Sequence, residues 1–346
     1  MKVMVTGDRG YIGSVLVDQL AKLQYDIIGL DTGFYDDCEL EQQERVYRSI
    51  TKDIRDVAAE DLVGVDAVIH LAALSNDPLG ELKAGITEEI NYRAAVRLAR
   101  LAKNAGVSRF IYASSQSMYG IADSDAELDE DNSVKHPITA YAKTKWQAEQ
   151  ELKTLVSETF CVVCFRPSTV FGWSPRLRCD IIFNNLLACA YTTGKIEIKS
   201  DGTPWRPIVH VQDVCKAFIA GLTAPVSLIN GRSYNVGIEN GNYTVRQIAE
   251  TVSTLVAGCD LVFTGEHGSD ARTYRVGFNR ILTELQDYYQ PAWDLVRAGQ
   301  EMLAKFEDID FKEQDFRGPR CTRLAQLDDL LASGKLDDNL FWVKHE

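Results

Sequence analysis

The 346-residue sequence predicts an α/β protein, a doubly wound parallel sheet with a smaller α/β lobe attached. Three observations point there. Short β-branched runs alternate with longer amphipathic stretches through the first half of the chain, a glycine-rich turn joins the first run to the first amphipathic stretch, and an aspartate closes the second run.

Strands are expected at residues 2–6, 26–30, 45–50, 67–71, 109–113 and 161–165, and helices at 11–23, 88–105 and 140–158. After Pro167 the pattern loosens into a helix near 181–193, a strand near 206–210 and a helix at 212–222. Further elements follow at 233–236, 245–256 and 260–264. Residues 1–165 and 207–236 are therefore assigned to the sheet domain, and 166–206 and 237–306 to the smaller lobe. Residues 307–346 form a tail without assignment, although 323–331 has helical apolar spacing.

A hydrophobic fraction of 45% and a charged fraction of 25% are ordinary for a globular chain. The net charge of −13 argues against nucleic acid or an anionic membrane surface as the main partner. The opening MKVMVTGDRGYIG lacks a basic segment followed by a long apolar one, and no apolar run is long enough to span a bilayer. Cys161 and Cys164 form a C-x-x-C, but their odd offset on a buried strand sends the thiols to opposite faces, so no metal is expected. The expected location is the cytoplasm, with reduced thiols.

The first strand runs into Gly7-Asp-Arg-Gly10-Tyr11-Ile12-Gly13 and then a helix. Such glycines allow a tight turn and let backbone approach a pyrophosphate, while the helix start supplies free N–H groups and partial positive charge. Asp31 ends the second strand, where a carboxylate accepts hydrogen bonds from adenosine ribose hydroxyls and repels a 2′-phosphate. No arginine follows it directly, so NAD is expected over NADP. Downstream, Tyr141 and Lys145 are four apart at the head of a helix and share one face. Tyr112-Ala-Ser-Ser115-Gln116-Ser117-Met-Tyr119-Gly120 leaves the fifth strand at the edge where open α/β sheets bind ligands.

The spacing G-x-x-G-x-x-G resembles the extended short-chain dehydrogenase/reductases, the NAD-dependent epimerase and dehydratase type with a Rossmann-type sheet, across roughly residues 1 to 306. The resemblance implies that Asp53-Ile54 contacts adenine, that His70-Leu71-Ala72-Ala73 lines the cofactor, and that Asn91 serves near the active site. Ser115, Tyr141 and Lys145 match the family's catalytic triad. In it the phenolate removes a proton, the serine holds the reacting sugar oxygen, and the lysine binds the nicotinamide ribose and lowers the phenol pKa. On the substrate side, Phe165-Arg166-Pro167-Ser-Thr-Val-Phe-Gly172 resembles R-P-x-x-V-[FY]-G, and Asn185 matches an asparagine that reaches the nucleotide. Arg206 lies in a segment whose arginine grips the diphosphate, although Pro207 replaces the usual aspartate. Arg272 is a second phosphate-clamp candidate, with Arg176 and Arg178 behind it. A nucleotide-diphosphate sugar is thus the expected substrate, and a homodimer the expected assembly.

Gln116 and Ser117 follow the catalytic hydroxyl where 4,6-dehydratases of the family carry Asp-Glu. Epimerases that act beside a keto group tend to have cysteine at the second of these positions. Three outcomes stay open: 4-epimerisation, which needs only the triad and NAD, C4 dehydrogenation, and dehydration with a displaced acid and base. A reductase of a non-sugar carbonyl is the alternative from another class.

Overall fold

The computed structural model describes residues 1–42, 44–75, 83–121, 126–266 and 273–343. Its strands, in chain order, are β1 (Lys2–Thr6), β2 (Asp26–Asp31), β3 (Arg48–Thr51), β4 (Ala67–His70), β5 (Arg109–Ala113) and β6 (Cys161–Pro167). Then come β7 (Thr169–Phe171), β8 (Lys195–Ile198), β9 (Trp205–His210), β10 (Ser233–Val236), β11 (Asn242–Thr244) and β12 (Asp260–Phe263). A seven-stranded parallel sheet runs in the order β10-β6-β5-β4-β1-β2-β3. The order reverses beside β1, which pairs β2 on one side and β4 on the other, with Thr6 opposite both Leu30 and His70. Such a reversal opens a crevice at the carboxyl ends of the strands.

Both sheet faces are covered. Val3, Val5, Ile69, Ile111 and Val163 enter one core, and Met4, Val68, Phe110, Val162 and Cys164 the other. Alternation at period two explains why Cys161 and Cys164 fall into different cores. Helices Tyr11–Lys22 and Ala140–Thr154 start where expected. The expected helix at 88–105 begins earlier, as Ala84–Glu88, and passes through a π-helical segment, Glu89–Ala94, before Ala95–Asn104.

Two expectations change. The third strand is shorter and later than 45–50, because only Arg48–Thr51 finds a partner, the edge of β2. Residues 207–210 do not join the large sheet. They lie in β9, which pairs β7 and β11 in a three-stranded sheet, while β8 and β12 make a separate parallel pair. The tail also folds. After helix Leu295–Asp308, the helix Arg323–Ala332 places Leu327 and Leu330 in the same core as Phe34 and Ile54 of the large sheet's end.

Candidate active site

A cleft of about 550 Å³ runs along the carboxyl edge of the sheet, from the glycine turn to the head of helix Ala140–Thr154. At one end stands the glycine turn. Gly7 has a φ of 76°, and a Cβ there would lie 2.9 Å from the Ala72 amide nitrogen. A Cβ on Gly13 would fall 2.0 Å from the Gly7 carbonyl oxygen, so the helix can pack on the turn only with glycine there. Helix Tyr11–Lys22 starts at Gly10 with no side-chain cap and no acid in its first turn. A helix start of that kind suits a phosphate. Gly10, Tyr11, Ile12, Asp31, Asp53, Ile54, Leu71, Ala72 and Ala73 all line the cleft. The Asp31 carboxylate accepts from the Gly33 amide at 2.8 Å and the Arg9 amide at 3.3 Å. Burial pushes its pKa up, against those bonds. The cradle and the acid together fit a dinucleotide with a free 2′-hydroxyl.

At the other end the cleft is lined by Ser115, Tyr141 and Lys145. Ser115 begins a short turn after β5. Its hydroxyl accepts from the Ser117 amide at 3.1 Å and donates to the Ser117 hydroxyl at 3.1 Å. Tyr141 sits in the first turn of a helix capped by Thr139, whose hydroxyl accepts from the Ala142 amide at 3.2 Å. One turn on, Lys145 is buried and donates to the Ala113 carbonyl at 2.8 Å. Its ammonium lies 6.0 Å from the Tyr141 ring centre and 5.0 Å from that of Tyr112. Burial pulls the Lys145 pKa down to about 7. Burial, and then the Lys145 charge, pull His70 down to about 3, so His70 is neutral and sits 2.7 Å from the Thr6 hydroxyl.

Behind this helix lies an ion pair that holds it to the sheet. Glu149 is fully buried and accepts from Ser114 and Ser233, each at 2.6 Å, and from Arg166 at 2.5 and 3.0 Å. Burial works to raise the Glu149 pKa, but the Arg166 guanidinium overrides it and holds the carboxyl down at about 2. This corrects the expectation for Arg166 as a substrate contact. It is 1% exposed, donates from Nη1 to the Tyr119 hydroxyl and the Glu130 carbonyl, and does not line the cleft.

Other expected residues divide similarly. Gln116, Ser117 and Arg206 line the cleft. Asn185 does not, because its amide donates to the Cys179 carbonyl at 2.7 Å. Asn91 is buried one layer back, bonding both the amide and the carbonyl of Leu74, so it shapes the loop after β4 without facing the cleft. Arg272 lies outside the described residues. Arg176 and Arg178 are both buried, and only Arg178 of the two lines the cleft. Arg176 donates to the Tyr35 and Asp36 carbonyls, and Arg178 makes paired 2.9 Å bonds to Asp180 and reaches Ser75 at 3.1 Å. Tyr35, Asp180, Tyr274 and Arg323 also line the cleft. No motif marks them, and Arg323 arrives from the unassigned tail.

A model of the NAD dependent epimerase/dehydratase family matches residues 3–237. Mouse dTDP-D-glucose 4,6-dehydratase is 29% identical over 266 residues, covering 74% of this chain and 73% of its own. The UDP-glucose 4-epimerase of Mycolicibacterium smegmatis is 30% identical over 256 residues, covering 68% of this chain and 77% of its own. Among solved structures, DesIV, a dTDP-glucose 4,6-dehydratase from Streptomyces venezuelae with NAD bound, superposes with a TM-score of 0.74 at 24% identity. It covers 91% of this chain and 100% of its own, so the fold is shared.

Proposed function

Because the chain belongs to the NAD-dependent epimerase/dehydratase family, we propose that it acts on a nucleotide-diphosphate sugar through oxidation at C4, and that the reaction is 4-epimerisation. The chain is an enzyme and its cofactor is NAD. When bound, NAD supplies the acceptor and donor of the hydride.

The observation that carries this choice is the wall beside Ser115. Among the described residues lining the cleft, the carboxylates are Asp31, Asp53 and Asp180. Asp53 is tied to Arg55 by paired bonds and Asp180 to Arg178, while Asp31 stands at the glycine-turn end. Next to Ser115 stand the neutral Gln116 and Ser117. The Gln116 amide donates to the Arg166 carbonyl at 3.0 Å, and Ser117 is held by Ser115. Loss of water from a sugar needs an acid for the leaving hydroxyl and a base at the neighbouring carbon. Among the described residues neither group stands there. With NAD taking and returning the C4 hydride, the chain need supply only a proton acceptor and a holder for the oxygen.

Tyr141 takes the proton of the C4 hydroxyl. A phenol with an ordinary pKa near ~10 is a weak base at neutral pH, and the Lys145 ammonium one turn away favours its phenolate. Ser115 holds the same oxygen in both halves of the reaction. The keto sugar then turns over within the cleft, Tyr141 returns the proton, and the configuration at C4 is inverted. Arg206 grips the diphosphate so that only the sugar moves.

Incubation of the enzyme with UDP-, dTDP-, GDP- and CDP-sugars, followed by product NMR and absorbance of NADH, tests this directly. The expected result is a C4 isomer without net NADH. Accumulating NADH would make the enzyme a dehydrogenase, and a product lighter by one water would make it a dehydratase.

A further inference from the structure

The tail lies on the nucleotide end of the cleft. The Cys179 amide donates to the Cys321 carbonyl at 2.8 Å, and Gln326 donates to the Phe34 carbonyl at 3.2 Å. Farther on, the Trp342 indole donates to the Thr32 carbonyl at 2.6 Å, beside Asp31. Arg55, which is paired to Asp53, lies 3.6 Å over the Phe341 ring and donates to the Asn339 carbonyl at 2.8 Å. The tail therefore touches both segments that carry an acid at this end, the one after β2 and the one at Asp53.

Within that seat, Arg323 lines the cleft while 2% exposed. Its guanidinium stacks 4.2 Å over Tyr35, and Nη2 donates to the Arg176 carbonyl at 2.9 Å. Among the described residues, Nη1 is buried with no hydrogen-bond partner, and no carboxylate forms an ion pair with Arg323. The neighbouring carboxylates are committed elsewhere, Asp180 to Arg178 and Asp36 to Arg9 and Arg176. A buried guanidinium whose nearby carboxylate, Asp180, is already paired to Arg178 is costly, and the cost is relieved when a ligand brings a further anion.

The geometry points to Arg323 as a diphosphate contact supplied by the tail, directed at the pyrophosphate of the dinucleotide. Diphosphates enter this cleft with either ligand, and position selects between them. Tyr35, under the guanidinium, belongs to the loop that leaves β2 at Asp31, and Arg178 beside it neighbours Tyr11 of the glycine-turn helix. The tail is then a strap that holds the cofactor through many turnovers, whichever sugar reaction the other end performs.

The test uses the full-length chain and three probes: NAD, ADP-ribose and UDP. Arg323→Ala should raise the Kd of NAD and of ADP-ribose by about 10- to 100-fold and speed exchange of bound NAD for labelled NAD, with the Kd of UDP unchanged. Arg323→Gln keeps a donor for the Arg176 carbonyl without the charge, and should show the same loss should the alanine variant fail to fold. A structural role alone would lower the melting temperature equally with and without NAD, whereas a phosphate contact shrinks the rise that NAD produces. Unchanged NAD affinity in a folded variant, or a loss confined to UDP, would overturn the assignment.

Discussion

The two ends of the cleft are built on different plans. At the reacting end, Ser115, Tyr141 and Lys145 come from two short motifs, and the groups beside them are neutral or buried. At the nucleotide end, charge is dense and gathered from far apart: Asp31, Asp36, Arg178, Asp180 and Arg323 meet there from three stretches of chain. Proton transfer needs a few groups at fixed offsets, which a helix turn and a strand end provide locally. Holding a polyanion needs many weak contacts, which the fold can collect from anywhere.

Substitutions can break or sharpen this contrast. The largest effect is expected from Tyr141→Phe, which should lower turnover by on the order of 10³-fold while leaving the Kd of NAD unchanged. Activity within a few-fold of the parent would remove Tyr141 from proton transfer. Next is the ion pair behind the reacting end. Arg166→Leu strands the buried Glu149 carboxylate and should cost about 3–5 kcal/mol in urea unfolding. A loss of substrate affinity with unchanged stability would instead return Arg166 to the substrate side.

Asp8 probes the nucleotide end through pH. Burial, and then the neighbouring Asp31, push its carboxyl from 3.8 up to about 6. Between these values the folded chain keeps a proton that the unfolded chain has lost, so stability falls as pH rises through that window and stays low above it. Asp8→Asn should therefore stabilise at pH 8 by at most about 3 kcal/mol and add nothing near pH 3.5. An identical gain at both pH values would assign the effect to packing. The smallest effect is expected from Asp31→Ala, about a 10-fold weaker NAD with a matching relaxation against NADP. Discrimination that survives intact would shift cofactor choice to another residue.

Much of the frame is legible in the chain. β1 and β5 match their expected ranges, because short apolar runs between turn residues specify buried parallel strands. Of the residues expected to face the cofactor from Gly7 to Ala73, all but His70, which is buried against Thr6, line the cleft, because glycine spacing and strand ends act within a few residues. Arg166 and Asn185 show where that reach ends. Both sit in motifs, yet a carboxylate 17 positions away claims the first and a carbonyl six positions away claims the second.

By itself, the sequence determined the strand segments, the cradle and the spacing of Tyr141 and Lys145, since each follows from residues that are near neighbours along the chain. Only the tertiary structure decided that Arg166 braces a helix, that β9 leaves the large sheet, and that Arg323 returns from the tail to the cleft. Those outcomes depend on which distant groups find each other once the cores have closed, and a buried charge accepts whichever partner the packing brings within reach.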